Sequence, residues 1–591
     1  MPVVTLYHDK LIELIGEEVS FEELAHDLIP MLGSDVERID EREGRIDAEF
    51  FPNRPDLYSV EGVARALKGF MGIEKGLPEY EVFDTDIEVE VDESVRKVRP
   101  VIAVATVEGI EFEDERDLEH LMEFQEHLHW VIGRDRKKAA IGIHDLDAVE
   151  PPLRYLAVDP DDDSWSFEPL DRPGEVMKPS QVLRKHEKGR EYGHLVGDLV
   201  PILADEEGVI SMPPVINSER TKVTLDTERV LVDVTGTSWR PVLDALHVVV
   251  CNLAERGGKI GTVRIFGAYE RVTPTMKLDV WDVPVREASS LLGVELKGEE
   301  LEDLLARARH EAVFLPAGED VTTFPSPTHY HIEADWEEEP PVLYDEDVVR
   351  AFVGPWRTNV LHVWDLVEDA GIMYRYDRFE PRVPEVPGLP EASDDVEFAS
   401  FLRDVMSRLG FVEVNSLTLT SPAVNYEAMR LEVDEEEPVI VANPIQKEYT
   451  ILRTWVLPSL MLFLSDNKHR PYPQRVFEVG EVVRRDPDAE TGAVDRRNLA
   501  LAEAGPDVGF ADVKAVVEAL LRELDLLDRA EVEEFEHPSF IKGRCAAVTV
   551  NGNRLGFFGE VHPEVLENFD LEVPVVAAEF ELEALKKAVG W

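Results

Sequence analysis

The chain has only two cysteines in 591 residues, Cys251 and Cys545. They stand far apart and without metal-ligand spacing, which excludes a disulfide scaffold or a cysteine zinc site and fits a reducing cytoplasm. No apolar run approaches the ~20 residues that a membrane-spanning helix needs. The N-terminus, MPVVTLYHDKLIELIGEE, lacks the basic start and apolar core of a secretory signal. A cytoplasmic protein without a membrane role is therefore expected. Neither GxxxxGK[ST] nor GxGxxG occurs, so the sequence offers no phosphate-cradling loop of those kinds. Positive charge is scarce too: 61 Lys and Arg face 122 Asp and Glu, a net charge of −61. Such a chain repels polyanions unless its basic residues are gathered locally.

The acid is not confined to a tail. It is interleaved with apolar residues, which make up 44% of the chain, so it reads as folded surface rather than disorder. A surface of this kind suits a very salty cytoplasm, where salt screens self-repulsion. The length calls for several domains. The pattern predicts an α+β multidomain chain: a mixed α/β module over 1–90, an α+β domain over 91–271, a mainly helical module over 272–381 and an antiparallel-sheet module over 382–591. Ser20-Phe21-Glu22-Glu23 is a capping box that opens a helix reaching toward Gly33. The acidic stretch near Glu79–Glu93 reads as a linker or edge segment. VIAVATVEGI, AAIGIHDLD and RVLVDVTG read as strands, RDLEHLMEFQEHLHWVIG and PVLDALHVVVCNLAERGG as helices, and FVEVNSLTLT as a strand. An acidic, proline-marked insert, GEDVTTFPSPTHYHIEADWEEEPPVLYDED, interrupts the third region.

Residues 355–369, PWRTNVLHVWDLVED, carry the densest signal. At helical spacing Val363, Trp364, Leu366, Val367 and Ala370 fill one arc, and Asp365, Glu368 and Asp369 the opposite one. Like charges at that spacing cost roughly 0.2–0.5 kcal/mol per pair unless neutralised. A hard cation such as Mg²⁺ would do so, but on spacing alone a solvated acidic face is the stronger reading. No Ser-His-Asp set is evident. His129 and His144 sit in apolar surroundings, where histidines are more often satisfied core or supporting groups than bases. His329 and His331 fit a metal pair only weakly. Basic islands occur at Arg134, Arg136, Lys137 and Lys138, at Arg184, Lys185, Lys188 and Arg190, and at Lys468, His469 and Arg470. They read equally as phosphate contacts or as charges complementing helix dipoles.

Four ordered segments resemble one family. RTNVLHVWDLVED is similar to the metal-binding segment of the phenylalanine–tRNA ligase β chain, with Asn359 where that family usually has Asp. FPNRPDLYSVEGVARAL resembles its N-terminal motif. GRDRKKAAIGIHDLD and PPVINSERTKVTLDTERVLVDVTGTSW look like the editing region of its archaeal and eukaryotic branch. NPIQKEYTILRTWVLPSLMLFLSDN and RVFEVGEVV look like its closing, degenerate class II synthetase module. There is no inserted oligonucleotide-binding barrel near the N-terminus and no added C-terminal anticodon-binding domain, which points to the shorter archaeal type.

The resemblance implies the β subunit of an α₂β₂ heterotetramer that attaches phenylalanine to tRNA(Phe) at the expense of ATP, with ATP bound mainly by the α chain. Arg453 and Arg475 then read as α contacts or salt-bridged surface rather than catalytic groups. It implies Mg²⁺ at Asp365, Glu368 and Asp369, with Asn359 at most a neutral ligand or a support for one. It implies hydrolysis of mischarged tyrosyl-tRNA. An apolar pocket rejects an added hydroxyl only by about 10², so a second site that rewards the hydroxyl is useful. Asn217, Ser218, Thr221, Asp233, Thr235 and Thr237 supply polar groups there. Without the resemblance they read as a turn whose side chains cap the backbone. With it, Asn217 and Asp233 read the substrate, while Thr235 and the Gly236 backbone place the water or steady the oxyanion. The basic cluster at Arg134–Lys138 becomes the expected tRNA contact. Two other classes remain: a structural or tRNA-binding subunit without editing activity, and a separate metal-dependent hydrolase, against which no second ligand set near 365–369 is found.

Overall fold

The computed structural model describes residues 2–318, 331–332, 344–384, 388, 390–433 and 437–591. The chain divides into two compact units, Met1–Arg382 and Val383–Trp591. His329 and most of the acidic insert lie outside the described residues, and His331 is described only as backbone.

The first unit is organised by a ten-stranded sheet. From one edge its order is Ile216–Asn217, Val209–Met212, Val200–Ala204, Leu153–Val158, Val82–Val91, Lys259–Gly267, Val101–Glu108, Arg229–Gly236 and Ala139–Asp145, with Arg271–Thr273 added beside Lys259–Gly267. Neighbours run antiparallel except around Val82–Val91, which is parallel to both of its partners. This strand corrects the expectation of a linker or edge near 79–93, and the sheet therefore starts before residue 91. Two of its acids are met across the strand pair, Asp84 by Thr262 at 2.8 Å and Glu88 by Arg264 at 3.1 Å, and just before it Lys259 donates to Glu81 at 2.9 Å. Cross-strand partners of opposite charge make an acidic sequence compatible with a sheet interior.

Alternation along RVLVDVTG sorts its side chains. Val230, Val232 and Val234 join the core beneath the helices Glu115–Val131 and Trp239–Ala254, while Leu231 lies in the cluster on the other face. Asp233 and Thr235 share the face of Leu231. The helical face belongs to one continuous core that runs from Val4 to Met373. It includes the three-stranded N-terminal sheet (Val3–Tyr7, Arg45–Phe50, Ser34–Asp40). Ser20 caps its helix as expected, accepting from the Glu23 amide at 3.2 Å, although that helix passes through a π turn at Leu24–Leu28.

Among the described residues, the region 272–381 carries a sheet as well as the expected helices. Its helices Val285–Leu292, Gly298–Arg307 and Val363–Tyr374 pack with a four-stranded sheet that includes Lys277–Pro284, Glu311–Leu315 and Val348–Val353. VVRAFV is a short, wholly buried, β-branched run, and such a run cannot be told from a buried helix turn by periodicity.

The second unit carries a seven-stranded sheet, antiparallel except where Val412–Glu413 runs parallel to Gln474–Arg485. Asp394–Arg408, Phe510–Glu523 and Leu582–Val589 cover one face, and Leu457–Asp466 and Pro563–Asn568 the other. FVEVNSLTLT does not form one strand. Val412–Glu413 and Leu419–Thr420 belong to separate sheets, and between them Ser416 turns inward to donate to Glu478.

Candidate functional site

A cavity of about 140 Å³ opens in the first unit at the free edge of the Ala139–Asp145 strand, with the 115–131 helix on one side and the 211–217 segment on the other. Asn217, Ser211 and Asp233 line it together with Glu126, His129, Arg136 and Gly142. Asn217 reaches it from the edge strand, in register with Ser211. Asp233 comes from an interior strand, in register with Gly142 on one side and Val104 on the other. Two residues sixteen apart in sequence thus face one space because the sheet folds back on itself.

Asp233 is 2% exposed and is held by two donors. Ser211 Oγ donates to its Oδ1 at 3.2 Å, and His144 Nε2 donates to the same oxygen at 3.2 Å. His144 Nδ1 then accepts from Thr221 Oγ at 2.9 Å. With a carboxylate beside Nε2, that nitrogen carries a proton and points it at Asp233. The position opposite Asp233 must lack a side chain. A Cβ on Gly142 would lie 2.7 Å from both Asp233 Oδ1 and His144 Nε2. His144 and Ser211 were not picked out as site residues by the sequence. For His144 the signal was present in the strand alternation, which points His144 and Asp233 to the same face once the two strands are known to pair.

His129 lines the cavity as a neutral group. Its Nε2 accepts from the Ile141 amide at 2.8 Å, and burial lowers its pKa. Burial by itself would raise the Glu126 carboxyl, but His129 and Arg136 overcome this and hold it down at about 2. Arg136 is buried, donates to the carbonyls of Pro214 and Val215 at 3.2 and 3.0 Å and to Glu126, and stacks on Tyr192 at 4.3 Å. It stands in a turn in which Arg134, Asp135 and Arg136 all have positive φ (51°, 54° and 60°). That backbone turns Arg136 inward and leaves Arg134, Lys137 and Lys138 exposed. The expected basic cluster is therefore split. Lys188 of the second basic island also lines the cavity.

Thr235 is not in the cavity lining. It is fully buried, and its hydroxyl accepts from Arg99 Nε at 2.9 Å while its carbonyl accepts from Arg99 Nη2 at 2.7 Å. Arg99 also donates to the Arg136 carbonyl at 3.0 Å, tying the strand end to the 134–138 turn. Thr235 thus holds the frame of the site. Ser218 takes part in a local turn, as its hydroxyl accepts from the Arg220 amide at 3.4 Å.

The three carboxylates of the 363–374 helix do not share one point. Asp369 is buried and accepts from Arg357 Nη2 at 2.7 and 2.9 Å and from His310 Nε2 at 2.9 Å. Burial would raise its pKa, but the Arg357 charge and the His310 hydrogen bond keep it well below the usual carboxylate range. Asp365 caps the helix, its Oδ2 accepting from the amides of Leu361 and His362 at 2.8 Å each. Glu368 is exposed. Asn359 Oδ1 accepts from Arg357 Nε at 3.0 Å. Among the described residues no three His, Cys, Asp or Glu side chains are grouped to hold a metal ion. The helical wheel set all three acids opposite the apolar arc, but Asp369 is buried on the inner face, where Arg357 claims it, and Trp364 of the expected apolar arc is exposed.

In the second unit Arg453 is buried rather than on the surface, paired with Glu478 at 2.7 Å and donating to Ser416 at 2.7 Å. Arg475 pairs with Glu503 at 2.9 Å at the surface. A larger cleft there, of about 290 Å³, is lined by surface pairs such as Arg497–Glu481 and Lys586–Asp395, and carries none of the buried polar convergence seen around Asp233. No helix among the described residues is long and apolar enough to cross a membrane.

Residues 380–582 match the family model described as the phenylalanyl tRNA synthetase beta chain CLM domain. A phenylalanine–tRNA ligase beta subunit from Methanopyrus kandleri is 70% identical, covering all of both chains. The beta subunit from Archaeoglobus fulgidus is 40% identical over 99% of this chain and 98% of its own. Among solved structures, an N-terminal fragment of the phenylalanyl-tRNA synthetase beta subunit from Pyrococcus horikoshii covers 63% of this chain and 99% of its own, at 36% identity and a TM-score of 0.55.

Proposed function

The chain belongs to the archaeal phenylalanine–tRNA ligase β-subunit family, and from that premise we propose that its first unit hydrolyses mischarged tyrosyl-tRNA at the Asn217–Asp233 cavity. In this reading the chain works with an α subunit as α₂β₂. The α subunit carries ATP and phenylalanine, and tRNA(Phe) is the shared substrate.

What carries the reading is the placement of Asn217 and Asp233 on one cavity with Ser211 and His144 fixing the carboxylate. At about 140 Å³ the space is well below the roughly 300–1,000 Å³ of sites for drug-sized ligands, and suits an amino-acid side chain. A tyrosyl hydroxyl entering it can donate to Asp233. Phenylalanine offers no such donor, and a hydrogen bond to a charged group contributes about 1.5–3 kcal/mol. Water attacks the ester carbonyl, the bond to the ribose oxygen breaks, and tyrosine and free tRNA leave. Exposed Arg134, Lys137 and Lys138 flank the site as phosphate contacts for the tRNA end. Localisation in the cytoplasm follows from the same reading.

A three-carboxylate Mg²⁺ cage does not fit these residues, because Asp369 is committed to Arg357. A cation held by Asp365 and Glu368 with several waters does fit the way Mg²⁺ is usually bound. No step of hydrolysis is routed through it. Metal content of the α–β complex should fall in Asp365→Ala/Glu368→Ala and hold in Asp369→Asn.

The test is deacylation by the assembled complex. Asn217→Ala should let tyrosyl-tRNA accumulate while phenylalanine charging stays near normal, and Asp233→Ala should do so more strongly. Clearance of tyrosyl-tRNA at the unsubstituted rate by both variants would place the site elsewhere.

A further inference from the structure

One face of the 115–131 helix continues past the cavity. Met122, Glu126 and Trp130 recur at every fourth position and so form one stripe. Met122 and Glu126 line the cavity. Trp130 stands one turn further along, about 6 Å beyond Glu126. Its indole is half exposed, and among the described residues no ring or cation stacks on it and no group hydrogen-bonds its N–H. Met122, at the mouth, is 57% exposed. A single apolar side chain in water needs no explanation, but here two large ones share the stripe that borders a polar cavity. Glu126, the acid between them, is already paired with Arg136.

Two basic stretches far apart in sequence meet beside this stripe. The 134–138 turn folds back on the end of the helix, where the Arg136 amide donates to the His129 carbonyl at 3.3 Å and the Lys138 amide to the Gly133 carbonyl at 2.7 Å. Arg134, Lys137 and Lys138 stand exposed on that turn, and among the described residues no carboxylate pairs with them. From the other side comes Lys188, which lines the cavity and donates to Glu191 at 3.3 Å. Its Nζ lies 5.4 Å from the centre of the Tyr192 ring, and the Arg136 guanidinium lies 4.3 Å from the same centre. One tyrosine thus joins the two basic groups. In a chain of net charge −61, a polyanion can approach only where cations gather in this way.

The cavity, of about 140 Å³, has room for an amino-acid side chain but not for the nucleotide esterified to it. The ribose, base and phosphates must lie outside, on the rim. Every base offers a π-face to an aromatic side chain, whatever its identity. We propose that Trp130 is the stacking platform for a base at the single-stranded end of the tRNA, with phosphates held by Arg134, Lys137 and Lys138 on one side and by Lys188 on the other. Trp130 touches no reacting atom. It is a positioning residue that binds the nucleotide end and leaves the chemistry to the cavity. This inference rests on the editing reading.

The test is clearance of tyrosyl-tRNA by the assembled α–β complex, with KM and kcat measured separately. Trp130→Ala should raise KM roughly tenfold, the loss expected of one stacked base, and leave kcat near the unsubstituted value. Trp130→Leu keeps an apolar side chain without a π-face and should behave like Trp130→Ala, whereas Trp130→Phe keeps a ring and should recover most of the loss. Lys137→Ala/Lys188→Ala should lower the slope of log KM against log salt by about 0.7 for each phosphate contact removed. An unchanged KM in Trp130→Leu, or a loss confined to kcat, overturns the proposal while the editing reading stands. Failure of the unsubstituted complex to clear tyrosyl-tRNA overturns both.

Discussion

Arg357 and Asp369 meet through two hydrogen bonds, 2.7 and 2.9 Å, with both side chains almost wholly out of water. The pair is twelve residues apart in sequence and joins the loop before the 363–374 helix to that helix's inner face. It takes one of three acids on a single helical arc out of reach of solvent, and leaves Asp365 and Glu368 outside.

Removing Arg357 leaves the buried Asp369 charge with only the His310 hydrogen bond. Arg357→Ala should therefore destabilise the first unit by about 3–5 kcal/mol. Arg357→Ala with Asp369→Ala should recover part of the loss. Denaturant melts of the two variants check this, and equal stability of the single and double variants would contradict it.

Gly142→Ala should disable the cavity without unfolding the chain. Its new Cβ would lie 2.7 Å from the Asp233 and His144 atoms that face each other there, so the two side chains must part. Tyrosyl-tRNA deacylation should drop at least tenfold, with far-UV circular dichroism unchanged. Retained deacylation would show that Asp233 need not be held by His144.

Stability should fall as pH drops from about 6.5 toward 5. Burial lowers the pKa of His120, His129 and His310, and takes His247 in the first unit and His537 in the second down to about 4. In that window the unfolded chain takes up protons that the folded chain refuses, so each such histidine removes up to about 1.4 kcal/mol per pH unit. Replacing His247 with Gln should flatten the slope of Tm against pH for the first unit. An unchanged slope would assign the pH dependence to other groups.

The net charge of −61 sets the response to salt. Tm should rise from low to molar salt as self-repulsion is screened, and in mixed salts this part should depend on ionic strength rather than on which anion is present. A flat or falling curve would show that local pairing already neutralises the surface.

Much of this protein could be read from the sequence, because local rules govern it. Alternation in RVLVDVTG and AAIGIHDLD made them strands, and Ser20 announced its cap three residues before Glu23. The order of four motifs identified the family. The tertiary structure decided what depends on partners distant in the chain. It turned the acidic 82–91 segment into an interior strand, where Thr262 and Arg264 answer Asp84 and Glu88. It gave Thr235 to Arg99, Asp369 to Arg357 and Asp233 to His144. Spacing fixes which side chains share a face of one element. Only packing fixes which neighbour neutralises each of them, because a buried charge takes the nearest partner that the fold supplies, whatever its place in the sequence.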